Sequence, residues 1–200
     1  MKLTWLGHAC FLVEQDGYRI VLDPYADVPG HMDLQIQAHE ALCSHQHFDH
    51  NAVSGVALLP EQESPFRVRT VESFHDDQGG ALRGANTIHV LTAGGVTVAH
   101  LGDLGHPLSQ EQLKVIGPVD GLLVPVGGTY TLDAAGAKRV CEAVGPQWVI
   151  PMHYRHGSCG FPVLTTAEEF LELWPEVVRL ESAELEAAPE TRGVFLPKFR

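Results

Sequence analysis

Long apolar runs are missing from this sequence. None approaches the roughly 18 residues that a membrane-spanning helix needs, so no membrane partner is expected. The opening stretch Met1-Lys2-Leu3-Thr4-Trp5-Leu6-Gly7-His8 is no signal peptide, because its apolar part is short and broken by Gly7 and His8. A cytoplasmic location is the expectation. Cysteine is scarce: Cys10, Cys43, Cys141 and Cys159 form no C-x-x-C pair, and the first three lie in apolar segments. They read as small buried hydrophobes, so a disulfide framework is not expected. Positive charge is short as well. Against 25 Asp and Glu there are 13 Lys and Arg, a formal charge of −12. Holding a long nucleic acid needs a basic face, so that partner is not expected. There are no repeats and no low-complexity segment, and 200 residues suit one domain over 1–200.

The rest of the composition is that of a globular chain, 44% hydrophobic and 19% charged. Residues 2–6, 10–14 and 18–22 read as strands, the last two joined by an Asp16-Gly17 turn. Residues 38–43 read as a buried strand and 51–58 as a short helix with Asn51 as its N-cap. Strands follow at 66–71, 86–91 and 96–101, the last pair about Gly94-Gly95. Ser109 with Gln112 forms a capping box for a helix to about 116. A buried strand at 120–126 precedes a helix that Asp133 caps and Gly145-Pro146 ends. Residues 148–152 form a strand that ends on His153, and Thr166 with Glu169 opens a helix to 174. Segments 177–180 and 193–196 are weaker strands, and the Ala/Glu-rich 183–191 reads as a solvated connection.

Histidine is abundant, at 12 residues, and four potential ligands fall in His45-Gln46-His47-Phe48-Asp49-His50. On extended backbone His45 and His47 point to the same side. Asp49 and His50 then aim at a neighbouring point as the chain turns. Two adjacent sub-clusters suggest two metals, which in hydrolytic sites lie about 3.5–4 Å apart. His75, Asp103 and His153 are read as each following a strand in a loop flanked by Gly or Pro. One site would then be His45, His47 and His75, and the other Asp49, His50 and His153, with Asp103 bridging. Nitrogen and oxygen ligands without thiolate suit Zn²⁺, the first choice, or Mn²⁺ or Fe.

This order of motifs resembles the metallo-β-lactamase superfamily. Trp5-Leu6-Gly7-His8, Leu101-Gly102-Asp103 and Ile150-Pro151-Met152-His153-Tyr154 resemble its small metal-dependent hydrolases, a branch that includes the ascorbate-phosphate lactonases. The likeness covers about residues 1–160. It implies an α/β (α+β type) fold, a four-layer αββα sandwich with the metals at one edge of two packed sheets. It also implies that Asp23 accepts hydrogen bonds from the metal-binding loop. One departure stands out: Asp76 and Asp77 follow His75 where the branch has small residues, and His89 is the rival third ligand.

The function expected is hydrolysis of a small-molecule ester, lactone or phosphoester. A water bridging the metals would be the attacking hydroxide, Asp49 would orient it, and His106 or His8 would protonate the leaving group. Ser44 precedes His45, but nothing marks it as an activated nucleophile. The alternatives are a phosphodiesterase or nuclease on the same scaffold, or a non-catalytic metal-binding domain. Self-association into a homo-oligomer stays open.

Overall fold

The computed structural model describes residues 1–199. The chain begins as an antiparallel meander of β1 (Lys2–Gly7), β2 (Cys10–Gln15) and β3 (Tyr18–Leu22). Asp16 and Gly17 both take left-handed φ, 50° and 81°, which makes the turn tight enough for direct pairing of β2 with β3. β4 (Ile36–Ala38), β5 (Glu40–Leu42) and β6 (Val56–Leu58) are short. β7 (Arg67–Phe74), β8 (Ala85–Ala93) and β9 (Val96–His100) form a second meander. Then α1 (Gln110–Ile116), β10 (Gly121–Pro125), α2 (Ala134–Val144) and β11 (Trp148–Met152) alternate. α3 (Glu168–Leu171), β12 (Val178–Arg179), β13 (Glu184–Glu186) and β14 (Gly193–Leu196) complete the chain.

Two large sheets result, ordered β13-β1-β2-β3-β5 and β12-β14-β11-β10-β9-β8-β7, with β4 and β6 as a separate two-stranded sheet. Period-two alternation packs one on the other. Phe11 and Val13 of β2 enter the main core between the sheets, whereas Cys10 and Leu12 enter a smaller cluster on the outer face. β10 and β11 are parallel and buried along their whole length, which explains their near-continuous apolar runs. Each fully buried Leu or Ile there contributes about 1.5–3 kcal/mol. Gly121 is required because a Cβ would run into the Trp148 indole.

The expected αββα sandwich is the architecture, with unequal outer layers. α1 packs on β7, α2 on β10 and α3 on α2, all over the seven-stranded sheet. Over the five-stranded sheet the cover is loop 24–35, one 3₁₀ turn and the β4–β6 pair, filled by Tyr25, Val28 and Ile36. Among the described residues, no helix is long and apolar enough to cross a membrane.

Four local expectations are corrected. Segment 51–58 is a 3₁₀ turn, Val53–Gly55, followed by β6, because the Val56–Leu58 backbone pairs with β4. Asn51 bonds Gln46 instead of capping. The strand expected at 38–43 breaks at His39, whose Nδ1 accepts the Arg19 N–H, and its second half is only half-buried. The helix expected from Thr166 to 174 shrinks to Glu168–Leu171, with no side-chain cap. Segment 183–191 contains β13, which pairs with β1 and buries Ala183, Leu185 and Ala187 while Glu184 and Glu186 face out.

Candidate metal centre

Three buried polar residues stand directly after the last residue of a strand with left-handed φ: His8 after β1 (50°), Asp23 after β3 (45°) and His153 after β11 (53°). Such a conformation costs a non-glycine residue of the order of 1–3 kcal/mol and persists where its surroundings over-determine it. Here the surroundings do. The His8 carbonyl accepts both Trp5 Nε1–H, at 3.1 Å, and the His153 backbone N–H, at 3.1 Å. The Trp5-Leu6-Gly7-His8 motif thus ties the edge of one sheet to the metal-facing loop of the other.

Asp103 is the centre of the cluster. Its Oδ2 lies 2.9 Å from His75 Nε2, 3.2 Å from His50 Nε2, 3.2 Å from His153 Nε2 and 3.9 Å from His45 Nε2. His47 joins from the exposed side, with His45 and His75 rings at 4.6 and 5.3 Å. Asp49 Oδ2 is 3.7 Å from His50 Nε2 and 3.3 Å from His8 Nε2. Donor atoms of His45, His47 and His75 lie within 4.8 Å of one another, as do those of His8, Asp49, His50 and His153. The structure therefore brings together His45, His47, Asp49, His50, His75, Asp103 and His153. It adds His8 to the Asp49 group.

Three of the ring nitrogens that turn away from the centre are held, those of His45, His50 and His75. His50 Nδ1–H donates to Asp23 Oδ2 at 2.8 Å, and His75 Nδ1–H to the Tyr130 carbonyl at 3.0 Å. His45 Nδ1–H donates to Ser44 Oγ, whose own hydroxyl donates to Asp23 Oδ2 at 2.6 Å. Asp23 Oδ1 takes the Ser44 N–H, also at 2.6 Å. Each bond keeps a proton on Nδ1 and turns Nε2 toward Asp103, where its lone pair would be offered to a bound cation. Ser44 is thus a relay behind the cluster, in keeping with the absence of any nucleophile signature.

Burial and close neighbouring charges shift the cluster's groups strongly. Burial pushes the His50 imidazole down, but the Asp103 and Asp23 carboxylates outweigh it and raise its pKa well above the usual histidine value. Burial would raise Asp103, yet His153 and His50 hold it well below the carboxylate range. His45 drops to about 4 through burial and the neighbouring His50 charge. Burial with the His153 charge takes His8 to about 3. Burial would raise Asp49, but the His8 hydrogen bond and His50 lower it to about 2. Meanwhile His45 Nε2, His50 Nε2 and Asp103 Oδ1 are buried with no hydrogen-bond partner. Orphaned polar atoms of this kind are costly unless something binds them. A divalent cation fits this donor set.

Other expected residues fall elsewhere. The structure does not bring His106 to the cluster: its Nε2 accepts the Phe74 N–H and its Nδ1 donates to the Pro107 carbonyl. His89 Nε2 lies 3.2 Å from the Cys43 carbonyl, outside each group of potential ligands. Two partners escaped sequence reasoning. The Tyr130 carbonyl carries no side-chain signal, and a serine beside His45 suggests a nucleophile before it suggests a hydrogen-bond relay.

In front of the cluster is a cavity of about 330 Å³, whose walls include Phe48, Arg83, Tyr130 and Phe161. His106 is not among its lining residues.

Comparison with known proteins agrees with this geometry. Residues 2–153 match the model of the beta-lactamase superfamily domain. A UPF0173 metal-dependent hydrolase of Carboxydothermus hydrogenoformans is 33% identical over 193 residues, covering 77% of this chain and 84% of the relative. A UPF0173 protein of Pyrococcus furiosus is 33% identical over 179 residues, covering 77% and 83%. The crystal structure of a candidate Zn-dependent hydrolase of the metallo-β-lactamase superfamily from Thermotoga maritima aligns with a TM-score of 0.79. It is 35% identical and covers 98% of this chain and 97% of that one. This chain belongs to the metallo-β-lactamase superfamily, in its branch of small metal-dependent hydrolases.

Proposed function

We propose that this protein is a dinuclear metal-dependent hydrolase acting on an ester, lactone or phosphoester of a small molecule. The observation that carries this reading is the position of Asp103 Oδ2, within 4 Å of four imidazole Nε2 atoms. His45, His47 and His75 would hold one ion, and Asp49, His50 and His153 the other, with His8 within reach of the second set. Nitrogen-rich ligation without thiolate favours Zn²⁺, with Mn²⁺ or Fe as the alternatives. Bound ions would supply Lewis acidity and an activated water at this point.

The chain's own residues supply the rest. Asp23 and Ser44 lock the orientation of His50 and His45. Asp49 is ionised and borders the cavity, where it can orient the attacking water and accept its proton at Oδ2. His8 is buried against Asp49 with its pKa low, so it holds that carboxylate by an N–H rather than delivering a proton. The phosphodiester and nuclease alternative would use the same ligands. One cationic side chain on the cavity wall is too few to track a polyanion, so a small molecule is the preferred substrate.

The test is elemental analysis of the purified protein, with turnover on a neutral aryl ester, a γ-lactone and a phosphodiester. About two ions per chain and hydrolysis of one class are expected; Asp103→Ala should lose both ions and turnover, and His50→Ala the second ion and turnover. Turnover retained by a metal-free variant overturns the reading. Metal bound without turnover of any class supports a binding domain instead.

A further inference from the structure

Arg83 is the lone Lys or Arg on the wall of the cavity in front of the cluster. Two arginines elsewhere meet carboxylates, Arg19 with Glu14 at 2.8 Å and Arg179 with Glu168 at 2.7 Å, whereas Arg69, Arg155 and Arg192 donate to backbone carbonyls as Arg83 does, but away from this cavity. Among the described residues, no carboxylate forms an ion pair with Arg83, although acidic groups outnumber basic ones about two to one. Its guanidinium donates instead to the Thr129 carbonyl at 3.1 Å and lies 5.7 Å from the centre of the Tyr130 ring. A neutral acceptor and a ring face orient the group without neutralising it.

The loop beneath is built to hold that arginine. Asp76 Oδ1 accepts the N–H groups of Gln78 and Gly80, and its Oδ2 those of Leu82 and Arg83, between 2.7 and 3.0 Å. The acidic residue that departs from the pattern of the branch is therefore a staple. It closes loop 76–83 and fixes the backbone from which Arg83 reaches into the cavity. Facing it are apolar rings. Phe161 lies 6.3 Å from Tyr130 and 6.4 Å from Phe48, whose side chain remains 55% exposed.

Building on the hydrolase reading of the site, we infer that Arg83 is a specificity-determining residue. It recognises an anionic group of the substrate, a carboxylate or phosphate separate from the bond that is cleaved. Phe48, Tyr130 and Phe161 take the apolar body of the same molecule. The substrate class is then a small anionic ester or lactone with a hydrocarbon or planar portion. A charge-assisted, bidentate contact discriminates against a neutral analogue by roughly 10–100-fold.

The test compares mono-4-nitrophenyl glutarate with its neutral methyl ester, in the metal-loaded wild type, Arg83→Gln and Arg83→Lys. The wild type is expected to prefer the charged ester in kcat/KM. Arg83→Gln should lose at least about tenfold more on the charged ester than on the neutral one, and Arg83→Lys should recover part of it. A second arm uses no turnover: NMR titration of the metal-free protein with monomethyl glutarate, then with inorganic phosphate. Saturable shifts at Tyr130 that vanish in Arg83→Gln support the anion site, and the stronger of the two probes identifies the group. Where the esters are hydrolysed, equal losses on both, or none, overturn the proposal. Where neither is hydrolysed, the hydrolase reading fails on these bonds and the titration alone decides: no Arg83-dependent shift overturns the anion site.

Discussion

The back and the front of the cluster are built differently. Behind it, Asp23, Ser44 and His50 form a closed set of buried hydrogen bonds of 2.6–2.8 Å. In front, His47 and Phe48 are exposed, and Arg83 is held by a carbonyl and a ring. Groups that must keep their geometry are over-determined by buried hydrogen bonds. Groups that choose the molecule stand on loops, where side chains can change without disturbing the sheets. The back should therefore be intolerant and the front adjustable.

Breaking the shared point of the two sets has the largest expected effect. Asp103→Ala removes the oxygen that faces four imidazoles. Both ions should be lost together, with activity falling by more than the roughly 10–100-fold that losing a ligand's hydrogen-bond partner costs. Elemental analysis beside turnover checks this. Loss of one ion alone would mean that Asp103 serves a single site.

Asp23→Ala tests the back wall without touching a cavity residue. It strips His50 Nδ1 and Ser44 of their acceptor inside the protein. Removing one partner of a buried charged pair costs about 3–5 kcal/mol, and metal affinity should fall about 10–100-fold. Denaturant unfolding and metal titration measure the two separately. Asp76→Ala is the matching change at the front. Four N–H groups lose their acceptor, so hydrogen exchange over 77–83 should speed up strongly. Metal affinity should change by less than about threefold, because ligand-holding bonds stay intact. Equal losses of metal in the two variants would abolish the distinction between back and front.

Legibility in the sequence follows a related division. α1 and α2 were readable because their ends carry local chemistry. Ser109 and Gln112 cap each other, Asp133 accepts from Gly136, and Gly145 ends α2 at φ 67°. That His45, His47, Asp49 and His50 converge was readable because H-x-H-x-D-H compresses four candidate donors into six positions. β6 was misread because only its partner β4 makes it a strand, and no window of sequence contains that pairing. β13 did leave a trace. Ala183, Leu185 and Ala187 alternate with glutamates, a period of two that the acidic composition masks. The function of Asp76 was illegible for another reason: a carboxylate after a candidate ligand histidine looks like a ligand or a surface charge until the loop is closed around it.

His106→Ala gives the smallest expected effect and the sharpest check on where the front of the site ends. Three residues past Asp103, this histidine looks from spacing like a proton donor. Its Nε2 instead accepts the Phe74 N–H at 3.1 Å, and its Nδ1 donates to the Pro107 carbonyl at 2.8 Å. Both nitrogens are occupied by backbone, so neither is free to meet a leaving group. Losing the Phe74 bond at an exposed site should cost about 0.5–1.5 kcal/mol, a fall in Tm of about 1–6 °C for a chain of this size. Turnover should stay within about twofold, since general acid catalysis would contribute 10²–10⁴-fold. A large loss of kcat, with one limb of the pH profile removed, would move His106 into the machinery and the boundary of the site with it.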